Sequence, residues 1–223
     1  MIHRMLIPTL AALLVASLAL ATPASAAESK IDKAILEAGV VTKADVPASW
    51  TSSKSSNSDR AFKVPECKKI RAAVDSAKRK APRVQSRRFE DPAKGGTAFA
   101  DSLVYAFSDV KAATKFLSAY QSPDAPTCFQ AGIAKALTGA QSAGQPTVGP
   151  IPDLQGVGDA AVGDQITIPF TSGKQTASLD LDFVIVRVGR AVIGFRFSNV
   201  DARFPEGPGI VQMVVQRVAS AEA

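Results

Sequence analysis

One segment constrains the fold more than any other: Phe183-Val184-Ile185-Val186-Arg187-Val188-Gly189-Arg190-Ala191-Val192-Ile193, two strand-forming runs around a Gly-led dipeptide. With Gly189 and Arg190 as the turn, Val188 faces Ala191 and Val184 faces Phe195. Side chains alternate along a strand, so Val184, Val186, Val188, Ala191, Ile193, Phe195 and Phe197 share one face. The other face carries Leu181, Phe183, Ile185 and Val192, together with Arg187 and Arg196. A hairpin that is apolar on both sides needs cover on both sides. The predicted class is therefore α+β: a single antiparallel sheet with helices packed on both faces.

The remaining elements fit that plan. Glu28 to Ala38 has helical periodicity, with Ile31, Ala34, Ile35 and Ala38 on one stripe and Gly39 to end it. Thr42 is placed to cap a short helical turn that Pro47 stops, and Trp50 is placed to anchor this segment to the core. Thr51–Arg60 is rich in serine and reads as an exposed loop. A helix over 66–80 puts Cys67, Ile70, Ala73, Val74 and Ala77 on one stripe, and Pro82 closes it. Strands over 84–90 and 97–107, joined by Asp91-Pro92-Ala93-Lys94-Gly95-Gly96, should pair antiparallel. Ser108-Asp109 caps a helix reaching Tyr120, with Val110, Ala113, Phe116 and Leu117 inward, and Pro126 introduces another bearing Cys128, Phe129, Ile133 and Leu137. Strands near 145–149, 164–171, 176–188 and 191–199 precede a final helix from Gly207 to Val218.

Residues 1–26 read as a secretory signal: His3 and Arg4, the apolar run Met5–Leu20, then Ala24-Ser25-Ala26 as the cleavage pattern. Removal leaves one domain over 27–223, expected in the medium or cell envelope as a monomer. Removal also takes the only histidine, His3. That excludes Ser-His-Asp and Cys-His nucleophiles, a histidine base and imidazole-rich zinc sites from the mature chain. The expectation is a protein with no cofactor, no metal and no catalytic residues. Cys67 and Cys128 are the whole thiol inventory of an exported chain, and a disulfide between them is expected.

Residues 60–94 hold twelve Lys or Arg against four Asp or Glu, whereas the whole chain carries a net charge of only +6. Lys68, Lys69, Lys78 and Arg79 on the helix over 66–80 are candidates for contact with an anionic surface such as wall polymer or lipid head groups. A solvated helix face is the plainer reading. Nucleic acid is not expected, since only Phe62 and Phe89 interleave the basic residues as stacking platforms. Ser108-Asp109-Val110-Lys111 has the Ser-x-x-Lys spacing of penicillin-binding proteins, but no Lys-Thr-Gly element accompanies it, and a helix cap explains it better. Asp180 and Asp182 share a strand face and would need a third acid to hold calcium. Gly156-Val157-Gly158-Asp159 reads as a turn rather than a phosphate loop. Arg187 and Arg196, on one face of the hairpin, are candidates to clamp an anion in a cleft. Pairing with an acid on a covering helix explains each equally well.

Three segments occur in an order seen elsewhere: the N-terminal helix leading into Val41-Thr42-Lys43-Ala44-Asp45-Val46-Pro47-Ala48-Ser49-Trp50, then Val157-Gly158-Asp159-Ala160, then the hairpin. The chain resembles the PknH-type extracellular sensor domain, found in actinobacteria at the end of membrane kinases and in free-standing exported proteins. The PsbP-like fold of exported lipoproteins is a related alternative. The resemblance implies helices on both faces of an antiparallel sheet, a ligand-binding cleft and no catalytic residues. This chain departs from it in having one cysteine pair where the kinase sensor has two, and in lacking a kinase domain. The expected function is binding of a small or lipid-like ligand or a partner, with Arg187, Arg196 and Trp50 as cleft candidates. A wall-adhesive protein and a His-free hydrolase, with Ser108 as the nucleophile to test, are the alternatives.

Overall fold

The hairpin is formed in the expected register, Val188 opposite Ala191 and Val184 opposite Phe195. Gly189 takes φ 54° at the first turn position, while Arg190 keeps a negative φ, the pattern of a type II′ turn. A Cβ at Gly189 would also lie 2.8 Å from the Glu222 carboxyl. The computed structural model describes residues 30–55, 63–139, 143–152, 154–172 and 175–223. Residues 1–26, expected from the sequence to be a secretory signal, lie outside these.

Among the described residues, eight strands build one sheet: β1 (Thr51–Ser53), β2 (Arg83–Gln85), β3 (Arg88–Glu90), β4 (Phe99–Ala106), β5 (Thr147–Pro150), β6 (Ala160–Ser172), β7 (Gln175–Val188) and β8 (Ala191–Val200). Their order is β1-β3-β4-β8-β7-β6-β5, with β2 also on β4, and every pairing is antiparallel. Among the same residues, five α-helices cover it: α1 (Lys30–Ala38), α2 (Lys68–Lys78), α3 (Val110–Tyr120), α4 (Ala125–Ala136) and α5 (Gly207–Glu222). The α2, α3 and α4 stripes pack with Leu181, Ile185 and Val192 on one face. On the other, α1 and α5 pack with Val184, Val186, Val188, Ala191, Ile193, Phe195 and Phe197. The face assignment made from alternation is reproduced residue for residue.

The Cys67–Cys128 disulfide is present and ties the start of α2 to α4. Arg217 of α5 clamps the N-terminal segment. Its guanidinium reaches both Asp45 oxygens at 2.7 and 2.9 Å and the carbonyls of Ala38 and Val40. Burial pushes the Asp45 carboxyl up, but hydrogen bonds from Arg217 and Thr42 outweigh it and hold the group below its ordinary range.

Three expectations need correction. Thr51–Ser53 is an edge strand rather than the start of a loop, because β3 leaves a free edge that it pairs; residues 56–60 lie outside the described residues. The strand over 84–90 is two strands, since the Ser86 amide bonds the Ser102 carbonyl and the Ser86 hydroxyl accepts from the Ser102 amide. That exchange breaks the ladder between Gln85 and Arg88. Val110 is 49% exposed, because Asp109 caps the helix through the Ala112 amide and leaves Val110 in a first turn outside the core.

Candidate functional site

The polar centre of the sheet is assembled from three neighbouring strands on the face covered by α2, α3 and α4. Asp101 stands opposite Arg196 in the β4–β8 ladder. Phe89 opposes Ala100, which sets Arg88 of β3 beside Asp101 on its other flank. All three side chains are buried, Asp101 completely. Arg196 grips Asp101 through Nε at 2.6 Å and Nη2 at 2.7 Å, a two-pronged charge-assisted pair. Ser55 bridges, donating its hydroxyl to Asp101 while accepting from Arg196 Nη2 and Gln85 Nε2.

Arg88 is the odd member. Its guanidinium lies 3.8 Å from the Phe99 ring centroid, with Nε 3.5 Å from Asp101 and 4.0 Å from Glu90. Glu90 is engaged by the Ser53 hydroxyl at 3.0 Å. Arg88 Nε and Nη2 are buried and donate to no acceptor among the described residues. Burial pulls Arg88 below the ordinary guanidinium range; Asp101 resists this and Arg196 adds to it. One fully buried carboxylate thus serves two buried guanidiniums, and donor capacity is left over.

The sequence-predicted residues are dispersed around this centre. Arg196 belongs to it, and its acid comes from a neighbouring strand rather than from a covering helix. Arg187 shares the face, but four residues along β7; its Nη1 bonds Asp159 at 2.9 Å and the Gly189 carbonyl at 3.1 Å, tying down the turn. Trp50 is on the opposite face, its ring 5.2 Å from Phe204 and its carbonyl held by Lys43. It anchors the core there and does not join the arginines. On α2, Lys68, Lys69 and Arg79 are exposed. Lys69 pairs with Asp124 at 3.3 Å and Lys78 with Asp75 at 2.9 Å, which offsets part of the positive face.

The remaining motifs are accounted for locally. The Ser108 hydroxyl donates to Asp109, the capping residue of α3. Asp180 accepts from Thr167, Ser178 and Gln165. Asp182 is bonded by Arg203 at 3.1 Å, and burial pushes its carboxyl up against that attraction. Among the described residues, no three His, Cys, Asp or Glu side chains group to hold a metal ion.

No protein-family model matches the chain, and a search of curated proteins finds no match. Among solved structures, the extracellular domain of PknH from Mycobacterium tuberculosis is similar at a TM-score of 0.40 and 10% identity, over 70% of this chain and 76% of that one. This is a weak likeness of fold alone.

Arg88 and Asp101 were not singled out from the sequence. Asp101 carried a usable signal, a lone carboxylate inside the apolar run Ala98-Phe99-Ala100-Asp101-Ser102-Leu103-Val104. At strand period it must point inward with Phe99 and Leu103, so a buried partner was required. Which arginines would supply it depended on strand order.

Proposed function

We propose that this chain is an exported, single-domain, non-catalytic binding module that takes an anionic group at Arg88, beside the Arg196–Asp101 pair. The observation that carries this reading is Arg88 itself: a buried guanidinium whose Nη2 has no acceptor among the described residues and whose Nε has only the Asp101 carboxylate, at 3.5 Å. Buried donors are normally satisfied, and leaving one unmade costs about 1–3 kcal/mol. A carboxylate or phosphate oxygen is the complementary acceptor, and guanidinium geometry suits either. Binding rather than turnover is favoured because Ser108 and Asp180 are engaged in structural hydrogen bonds. Export rests on the signal-like residues 1–26, and among the described residues no helix is long and apolar enough to cross a membrane.

Isothermal titration with inorganic phosphate and with hexanoate, on wild type and Arg88→Met, tests the assignment. Saturable binding to wild type that is lost in Arg88→Met supports it. Equal binding by both proteins, or none by wild type, removes it. Native mass spectrometry of protein recovered from its own culture medium would give the mass of a resident ligand.

A second reading is favoured by the exposure of Lys68, Lys69, Arg71, Arg79 and Lys80 along and just beyond α2. In that reading the helix adheres to anionic wall polymer or lipid, and retention on such material falls steeply as salt rises.

A further inference from the structure

The two helical layers that cover the sheet differ in charge. Residues 66–80 and 109–124, which contain α2 and α3, hold eight Lys or Arg against four Asp or Glu. Residues 30–38 and 206–222, which contain α1 and α5 of the opposite layer, hold three against four. Folding therefore gathers the positive charge on one side of the molecule.

On that side α2 and α3 make one surface, since they pack against each other. At the start of α2, Cys67 is bonded to Cys128 and Lys69 to Asp124, both shortly after the end of α3. At the other end, the Pro82 carbonyl that follows α2 accepts from the Ala106 amide that precedes α3. The helices are thus antiparallel, and Lys111 and Lys115 of α3 extend the basic face of α2. Lys68, Arg71, Arg79, Lys80, Lys111 and Lys115 are all exposed, and from Lys68 to Lys80 the face runs about 18 Å. Three of the four acids are already engaged: Asp75 by Lys78, Asp124 by Lys69, and Asp109 by the Ala112 amide it caps. Among the described residues, Lys68, Arg71, Arg79, Lys80 and Lys115 make no ion pair.

An anionic membrane and an anionic polymer both complement such a face, and apolar side chains decide between them. A surface helix holds to lipid by sinking apolar groups below the head groups. The apolar residues exposed here are Ala72 on α2 and Val110 on α3, too few for a stripe. Binding then has to come from many weak charge contacts made at once, which a repeating polymer supplies and a single ion does not. Six of the eight cations are lysines, compact charges that meet a tetrahedral phosphate from any direction, whereas planar carboxylates favour the arginine fork.

We infer that the α2–α3 face docks on a linear polymer bearing a phosphate on each repeat. This rests on the adhesion reading above and names the partner for that surface; Arg88 takes no part in it.

Two charge-reversal variants of equal net charge test it, with thermal melts verifying that both fold. One carries Lys68→Glu, Arg71→Glu and Arg79→Glu on the face; the other carries Lys30→Glu, Lys33→Glu and Lys54→Glu outside it. Immobilised long-chain polyphosphate, poly-glutamate of similar length and vesicles containing phosphatidylglycerol are each presented to the mature protein and both variants. Wild type should hold polyphosphate at about 50 mM salt and bind at least about tenfold more weakly at about 200 mM. The face variant should bind polyphosphate about tenfold more weakly than the other variant. Equal retention of the two variants overturns the inference, because net charge alone then suffices. Poly-glutamate held as tightly as polyphosphate, or vesicles held in its place, overturns it too and leaves the adhesion reading standing. If none of the three is held at low salt, the adhesion reading falls and this inference falls with it.

Discussion

Asp101→Asn is the decisive perturbation of the buried centre. The side chain is completely buried and bonds Arg196 at 2.6 and 2.7 Å, with Arg88 at 3.5 Å. Asparagine keeps its shape and removes its charge, so two guanidiniums stay buried without their shared counter-ion. Breaking a buried pair from one side costs about 3–5 kcal/mol. For a domain of this length that corresponds to a Tm lower by roughly 6–20 °C. Arg88→Met should behave differently. It forfeits the contact with Phe99, about 1 kcal/mol, but also relieves two buried donors without acceptors and a like-charge neighbour in Arg196. The net change expected from these opposing effects is within about 1 kcal/mol. In the double variant, Arg88→Met should recover part of the Asp101→Asn loss, because only one guanidinium is then stranded. Urea unfolding at pH 7 reads all four proteins, with a constant m-value verifying two-state behaviour. Arg88→Met losing as much as Asp101→Asn would make Arg88 a structural residue and refute the claim that it is held in surplus for a ligand. A loss below about 1 kcal/mol for Asp101→Asn would show that the carboxylate is not the counter-ion assigned to it.

Burial raises the folded-state value of Asp164, so the folded chain binds its proton more tightly than the unfolded one, and stability falls as pH climbs from the unfolded carboxylate value, about 4, to the raised folded one. Asp164→Asn should therefore be more stable than wild type at pH 7 and lose the advantage in acid, as urea midpoints across pH will show. Asp45 has the opposite sign: its value is lowered, so its contribution is present above the unfolded value and is lost as pH falls through the folded one. Arg217→Ala should cost about 2 kcal/mol at neutral pH and raise amide exchange over residues 38–46, with a smaller cost in acid. Cys67 and Cys128 are 61 residues apart. Replacing both by alanine should lower stability by up to about 4 kcal/mol, measured as a shift in the urea midpoint. Gly158→Ala should destabilise by about 1–3 kcal/mol in the same assay; Gly158 has φ 63°, and a Cβ there would lie 2.6 Å from the Arg187 carbonyl oxygen.

What the amino-acid sequence determined by itself is whatever follows from short-range geometry. The Gly189-Arg190 turn and strict alternation set the β7–β8 register and the division of Val184, Val186 and Val188 from Leu181, Phe183 and Ile185. Two apolar faces required two helical layers, and Cys67 and Cys128, the whole thiol inventory, had only each other to pair with. Val110 and the Ser86 break escaped because each depends on one or two particular hydrogen bonds, the Asp109 cap and the paired Ser86–Ser102 exchange. The candidate site was legible only at Arg196. Its other members, Arg88 and Asp101, come from β3 and β4, and no local pattern places β4 against β8 or β3 beyond β4. That order follows from burying both faces of the central strands β4, β8 and β7 at once, a condition on the whole chain. Tertiary structure therefore decided which charges meet, which are left over, and that Trp50, Arg187 and Arg196 serve three different places.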